Sequence, residues 1–460
     1  MRTPGRERPG PGACIGLVLL GLLSGGIAGE VLARSVGFEF RPHMRNRVYF
    51  AEPHPLLGWR NRPGFAGPYG GDEFVTFVTI NADGQRGPSH PVERVPGKRR
   101  IAVLGDSQTW GDGVGDDETF VARLDGEGTE VLSFATPGWG TDQEILVLDA
   151  EAARWRPDVV VLAFFLGNDL NDNSSRGSFQ YPKPWFSVGA DGALELQGVP
   201  VPYSRAWHAM VDAYRAVMRH SALLNAIAEL SRRDWSAPAD DTDGVRDGKP
   251  DGQRDLERPP YNNPMYAARI GDRDRERFAF TGRLLLEFVR RARGMDATPV
   301  VLMIPELWQV EVFGDPQRRA ALWEVGGSLQ RPQRWFTALL EAQGVQVIDA
   351  LPALARATRT SRARGGPHTY YPEWRHLNAF GHAVIADLLR ARLDVGRTRS
   401  ARLQPVVVGA AGEDLRRPPG PAASGGAAGA EPHRPPPAPE SRSGTSSPSR
   451  DGGHPSTPSP

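Results

Sequence analysis

Ile101-Ala102-Val103-Leu104-Gly105-Asp106-Ser107-Gln108 decides the reading of this 460-residue chain. Four consecutive apolar residues read as a buried strand, and the glycine and polar residues after them end it. A serine just past the carboxyl end of a strand stands where open α/β sheets bind their ligands. Helix capping is the commoner use of a serine in that place, so a chemical role needs partners elsewhere in the chain.

From Arg100 onward, strand and helix patterns alternate. The spacing of apolar residues predicts strands at 101–104, 131–135, 159–166, 300–304 and 345–348, with helices at 141–154, 273–293, 331–342 and 378–393. Apolar strands separated by helices imply a parallel sheet covered on both faces. All strand ends then share one rim, which brings residues far apart in sequence together. Three later segments end or follow such strands: Thr136-Pro137-Gly138-Trp139-Gly140, Leu166-Gly167-Asn168-Asp169, and Glu373-Trp374-Arg375-His376-Leu377-Asn378-Ala379-Phe380-Gly381-His382.

With Gly105-Asp106-Ser107, these segments in this order resemble the SGNH (GDSL-type) serine hydrolase family. The stretch Gly111 to Phe120 and Thr141-Asp142-Gln143-Glu144 resemble a bacterial subgroup with an N-terminal hydrophobic segment. The likeness spans residues 98–170 and 298–393. It implies an α/β, flavodoxin-like three-layer SGNH hydrolase fold with a parallel sheet, and hydrolysis of esters without cofactor or metal. Ser107 would be the nucleophile and His376 its base. The family places an aspartate three residues before the histidine; Glu373 stands there here, and a serine/histidine pair helped by a backbone carbonyl is the alternative. The Ser107 and Gly138 backbone N–H groups and the Asn168 amide match the family's oxyanion hole. A glycine at 138 lets the backbone approach the substrate, and an asparagine at 168 donates without adding a charge.

Other residues compete for these roles. Gly138, Gly140 and Asn168 have alternative readings as turn residues. His368 is a second base candidate, and His382 reads as structural. Asp112, Asp116, Asp117 and Glu118 lack the spacing of a calcium loop and read as a solvated acidic turn. Gly111-Asp112-Gly113-Val114-Gly115 lacks the following helix that dinucleotide binding needs.

Composition narrows the class. A formal charge of +1 gives no field for nucleic acid, and the single cysteine, Cys14, excludes an intramolecular disulfide and a cysteine zinc cage. Arg2, Arg6 and Arg8 precede an apolar run from Ala13 to Gly29 broken only by Ser24, the pattern of an export segment. At 1.5 Å per residue the run spans roughly 25 Å, close to the thickness of a bilayer core. We expect residues 1–36 to be a single-pass anchor holding the protein in the cell envelope, with a signal peptide cleaved near Gly26 and Ala28 as the alternative.

Residues 37–97 read as a β-containing lead-in, with a strand at Phe74-Val75-Thr76-Phe77-Val78-Thr79-Ile80 ending in the turn signal Asp83-Gly84. Residues 98–396 form the hydrolase domain. It is interrupted at 170–272 by a helical insertion in which Trp207, Met210, Tyr214, Val217, Leu224 and Ile227 recur at helical spacing, followed by a charged stretch at 236–260. Leaving the sheet beside Asn168, the insertion is either a lid or a hairpin packed on the scaffold. Residues 404–460, rich in Pro, Gly and Ser, read as a disordered tail. Expected substrates are ester-bearing small molecules, lipids or polysaccharides, with Trp59, Trp139, Trp308 and Trp374 as candidate sugar-stacking surfaces. Rival readings are an O-acyltransferase or deacetylase of envelope polysaccharide, and a non-catalytic envelope-binding module. Nothing in the sequence fixes the oligomeric state.

Overall fold

The computed structural model of the chain describes residues 10–37, 50–71, 73–126, 128–178, 181–233, 265–266, 269–324 and 328–395. The expected tail at 404–460 and the charged stretch at 236–260 lie outside the described residues.

Five parallel strands form the central sheet: β1 (Arg99–Gly105), β2 (Thr129–Ala135), β3 (Val159–Phe165), β4 (Thr298–Ile304) and β5 (Gln346–Asp349). Their spatial order is β5-β4-β3-β1-β2. This is the flavodoxin-like arrangement, in which chain order reverses between β1 and β3, and ligands bind outside the carboxyl ends of the strands at that reversal. Ser107 follows β1, and Asn168 lies three residues beyond β3.

Alternation along each strand divides the core in two. Ala102, Leu104, Val160, Leu162, Phe164, Val301 and Met303 face one layer, with the helices Thr141–Ala150, Asp272–Gly294 and Arg331–Glu341. Ile101, Val103, Val159, Val161, Ala163, Val300, Leu302 and Ile304 face the other. There they meet the helices Phe120–Leu124, Leu307–Gly314, Leu351–Arg362 and Ala379–Leu393. The fold is thus a three-layer α/β sandwich. The predicted helix at 141–154 ends at Ala150, and a 3-10 turn, Ala152–Trp155, follows it before Arg156 enters the left-handed region at φ 47°.

Ahead of the sheet, Ala51–His54 pairs antiparallel with Gly58–Asn61, and Ala66–Gly70 with Val75–Thr79. Both hairpins contribute to the first core layer through Trp59, Tyr69 and Val78. After Asn168 come the short hairpins Gly177–Ser178 with Tyr181–Pro182 and Trp185–Val188 with Leu194–Gln197, then the helices Arg205–His220 and Ala222–Arg233. The N-terminal apolar run is one helix, Pro11–Ser35, long and apolar enough to cross a membrane.

Candidate active site

Ser107 opens a four-residue helical turn, Ser107–Trp110, capped by Asp106, whose carboxylate accepts from the Gln108 N–H at 2.9 Å. The strand thus turns sharply at Gly105, and no larger residue fits there: a Cβ would lie 2.1 Å from Thr109 Oγ1. Ser107 Oγ is 2.9 Å from His376 Nε2. On the other side of the ring, His376 Nδ1 is 2.7 Å from the Trp374 carbonyl oxygen. A carbonyl has no proton to give, so Nδ1 must donate, and Nε2 is left with a lone pair for the serine proton. The Trp374 ring stacks on the imidazole, with centroids 5.1 Å apart and planes 20° apart.

The histidine loop is pinned from several directions. Gln108, fully buried beside the nucleophile, donates from Nε2 to the Arg375 carbonyl at 3.3 Å and accepts from the Leu377 N–H at 3.0 Å. One amide thereby clamps both neighbours of His376. Arg375 takes a left-handed φ of 57°, and its N–H donates to the Tyr371 carbonyl at 2.9 Å. Glu73, from the loop joining the second hairpin's strands, accepts from the Trp374 N–H at 2.5 Å. Asn378 caps the following helix by accepting from the Gly381 N–H at 3.0 Å.

Glu373 is not part of this constellation. Its side chain is exposed, and its backbone N–H donates to Glu73 Oε2 at 3.1 Å. The carboxylate nearest the imidazole among the described residues is Asp112, whose Oδ2 is 4.0 Å from His376 Nε2. Asp112 is buried, and Tyr69 donates to it at 2.8 Å. The solvated acidic turn expected at 112–118 is therefore corrected at its first two acids. Asp116 also accepts from buried Arg86 at 2.8 Å and from the Thr79 N–H at 2.9 Å. Arg86 further donates to the Trp110, Gly111 and Val114 carbonyls, so it holds the turn that carries Asp112. Gln108, Asp112, Glu73 and Arg86 had no signal in the sequence for a place at this site, whereas a backbone carbonyl as the imidazole's partner, here that of Trp374, is the alternative the sequence left open.

Gly138 and Asn168 flank Ser107 at the ends of the two neighbouring strands. Gly138 has φ 77°, which favours glycine. The turn before it is fixed by two tryptophans: Trp59 Nε1 donates to the Pro137 carbonyl at 3.1 Å, and Trp139 Nε1 donates to the Trp59 carbonyl at 2.9 Å. Both indoles are buried, so neither offers a sugar-stacking surface; Trp308 and Trp374 are partly exposed. Asn168 Nδ2 donates to Asp106 Oδ2 at 3.1 Å. An amide carries two N–H bonds, so one remains for a ligand.

Below this rim lies a group of buried carboxylates. Lys183 Nζ, itself buried, donates to Asp142 at 2.8 Å and to the Asp172 carbonyl at 2.7 Å. Burial, with the negative charge of Asp106 and Asp142 added, holds Glu144 well above the usual carboxylate range; burial, then Glu144 and Asp106, does the same for Asp169. After β4, burial pushes the Glu306 carboxyl up to about 7, against the hydrogen bonds it accepts from Trp308 Nε1 at 2.8 Å and Tyr266 at 3.1 Å. His368 is held down to about 4 by burial, and its Nδ1 accepts from the Tyr370 N–H at 3.0 Å; it is not the serine's partner. His382 is buried, stacks on Phe120 and accepts the Phe120 N–H on Nδ1 at 3.1 Å. No group of side chains among the described residues is arranged to hold a metal ion.

No family model matches the chain, and no curated protein does. Among solved structures, a GDSL-like lipase from Bacteroides thetaiotaomicron is 10% identical, with 65% of this chain and 90% of that one covered and a TM-score of 0.32. The esterase EstA from Pseudoalteromonas sp. is 10% identical, with 65% and 97% covered and a TM-score of 0.30. LAE5, an α/β hydrolase from the metagenome of Lake Arreo, is 12% identical, with 65% and 97% covered and a TM-score of 0.33. The likenesses are weak, and the chemistry of the site rests on its own atoms.

Proposed function

We propose that this chain, whose three-layer fold is SGNH-hydrolase-like, is a serine ester hydrolase. The observation that carries the reading is the 2.9 Å contact between Ser107 Oγ and His376 Nε2, with the ring's other nitrogen committed to a carbonyl. A serine hydroxyl attacks an ester only if a base takes its proton as the bond forms. His376 receives that proton on Nε2 as Ser107 Oγ bonds to the acyl carbon. The same proton then passes to the leaving alkoxide as the ester C–O bond breaks. Water attacks the acyl-serine in the second half, giving its proton to Nε2; that proton passes to Ser107 Oγ as its bond to the acyl carbon breaks, and the carboxylic acid leaves.

Negative charge grows on the carbonyl oxygen during both attacks. The Ser107 N–H, the Gly138 N–H and the second Asn168 Nδ2 proton, on segments that follow three adjacent strands, would donate to it. As the imidazole becomes imidazolium, Asp112 at 4.0 Å supplies the nearest compensating charge. The N-terminal helix supports action outside the cytoplasm with the protein anchored in the membrane. Hydrolysis is preferred over transfer to a sugar hydroxyl, because two of the four candidate stacking tryptophans are buried.

Labelling with a fluorophosphonate tests the reading directly, since it reports an activated serine whatever the natural ester. Ser107 is expected to be the labelled residue, and Ser107→Ala to abolish both labelling and p-nitrophenyl acetate hydrolysis while the protein stays folded. Asn168→Ala should lower the hydrolysis rate by about 10²–10³. Labelling at another residue, or hydrolysis undiminished in Ser107→Ala, would overturn it.

A further inference from the structure

The helices Arg205–His220 and Ala222–Arg233 carry an apolar stripe that neither core layer covers among the described residues. Met210, Tyr214 and Val217 are spaced i, i+4, i+7 on one face of the first helix, and Leu224 and Ile227 stand i, i+3 on the second. Their exposures are 55%, 45%, 52%, 38% and 52%. Amphipathic helices of a water-soluble domain turn such a stripe inward. These two instead join the end of the long apolar helix Pro11–Ser35.

The join is specific. Glu30 accepts from Ser221 Oγ at 2.9 Å, from the Ala222 N–H at 2.9 Å and from the Leu223 N–H at 3.0 Å, so it caps the second helix of the pair. Arg34, paired with Glu30 at 2.8 Å, donates to the His220 carbonyl at 2.9 Å, where the first helix ends. Ala33, Ala222 and Ala226 are buried together, and a Cβ on Gly29 would meet Leu223 at 3.0 Å. Charged Glu30 and Arg34 belong at the level of the lipid headgroups when the helix spans a bilayer, so the hairpin they hold is fixed at that level too. Its charge suits the place: Arg205, Arg215, Arg219, Arg232 and Arg233 outnumber Asp212 and Glu229.

We propose that this helical pair is a membrane-surface element that lays its apolar stripe into the headgroup boundary of an anionic bilayer beside the anchor. An in-plane helix of this kind combines apolar burial with attraction of its arginines to lipid phosphate. The inference is independent of the catalytic reading. It stands beside the alternatives of a lid and of a hairpin packed on the scaffold, where Arg62 of the lead-in reaches Asp212 at 3.4 Å.

Depth measurement on the full chain in phosphatidylethanolamine/phosphatidylglycerol vesicles tests it. In a Cys14→Ser background, Val217→Cys or Ile227→Cys carries an environment-sensitive fluorophore, and Val75→Cys, exposed on the second lead-in hairpin, is the control. Lipids bearing a nitroxide at the top of the acyl chain should quench the labels at 217 and 227 at least two-fold and leave the label at 75 unchanged. Quenching at 217 and 227 no greater than at 75 would overturn the proposal. So would cross-linking of 217 or 227 between two copies with no lipid quenching, which would make the stripe a dimer face.

Discussion

His376 Nδ1 donates to the carbonyl of Trp374, two residues earlier, across 2.7 Å, in the position where a triad carboxylate would stand. A carbonyl fixes the tautomer and the ring orientation as an acid would, but it brings only a dipole to the imidazolium. The full charge nearest the ring belongs to Asp112, on the Nε2 side.

The two acids should therefore behave oppositely. Glu373→Gln, an exposed change, is expected to leave kcat/KM within about two-fold of the parent. Asp112→Asn keeps an acceptor for the Tyr69 hydroxyl while removing the charge, and should lower kcat by about 10–100-fold with KM little changed, as befits a loss felt in the transition state. Steady-state kinetics on a soluble ester separate the cases. A large loss in Glu373→Gln with none in Asp112→Asn would return the triad acid to position 373.

Gln108 makes a second prediction. Its amide holds both peptide groups flanking His376, so Gln108→Met, of similar volume, leaves the Leu377 N–H and the Arg375 carbonyl without that partner. A shift of about 1 Å in a catalytic group costs on the order of 10²-fold in rate. We expect kcat and the rate of fluorophosphonate labelling to fall together, with KM changed less than about three-fold. Loss of thermal stability with unaltered kcat would show that Gln108 serves the fold and not the alignment of the imidazole.

The sheet was legible because its strands are largely apolar on both faces and each is followed by a polar, proline or glycine punctuation. All five strands and all four helices expected from the spacing are present, with ends that move by a few residues. The helix Leu351–Arg362 was not legible, because Pro352 reads as a breaker; within the first turn of a helix a proline forfeits no hydrogen bond. The serine and the histidine could be placed on one rim from strand order alone. Which carboxylate lies near the imidazole could not, since Asp112 is set by Tyr69 and Arg86, which come from the lead-in and meet it only in the folded chain. Likewise, the spacing of Met210, Tyr214 and Val217 shows an amphipathic helix but not what faces it.

Acid stability supplies the last prediction, because two buried groups pull in opposite directions. Burial first, then the charges of Arg86 and Arg123, hold His382 down to about 3 from an ordinary value of 6.5. The unfolded chain thus takes up this proton long before the folded one, and stability from His382 is lost as pH falls from 6.5 towards 3. Glu306, raised to about 7 from 4.5, does the reverse: the folded chain keeps the proton, and its stabilisation, full below 4.5, is lost as pH rises towards 7. Each contributes up to one proton, or about 1.4 kcal/mol per pH unit, between pH 4.5 and 6.5. Relative to the parent, His382→Asn should make stability fall more steeply with rising pH in that window, and Glu306→Gln should make it rise more steeply. Urea unfolding in detergent at half-unit steps from pH 4.5 to 7 reads both slopes. Parallel curves for the parent and both variants would mean that neither group titrates differently in the folded and unfolded chains.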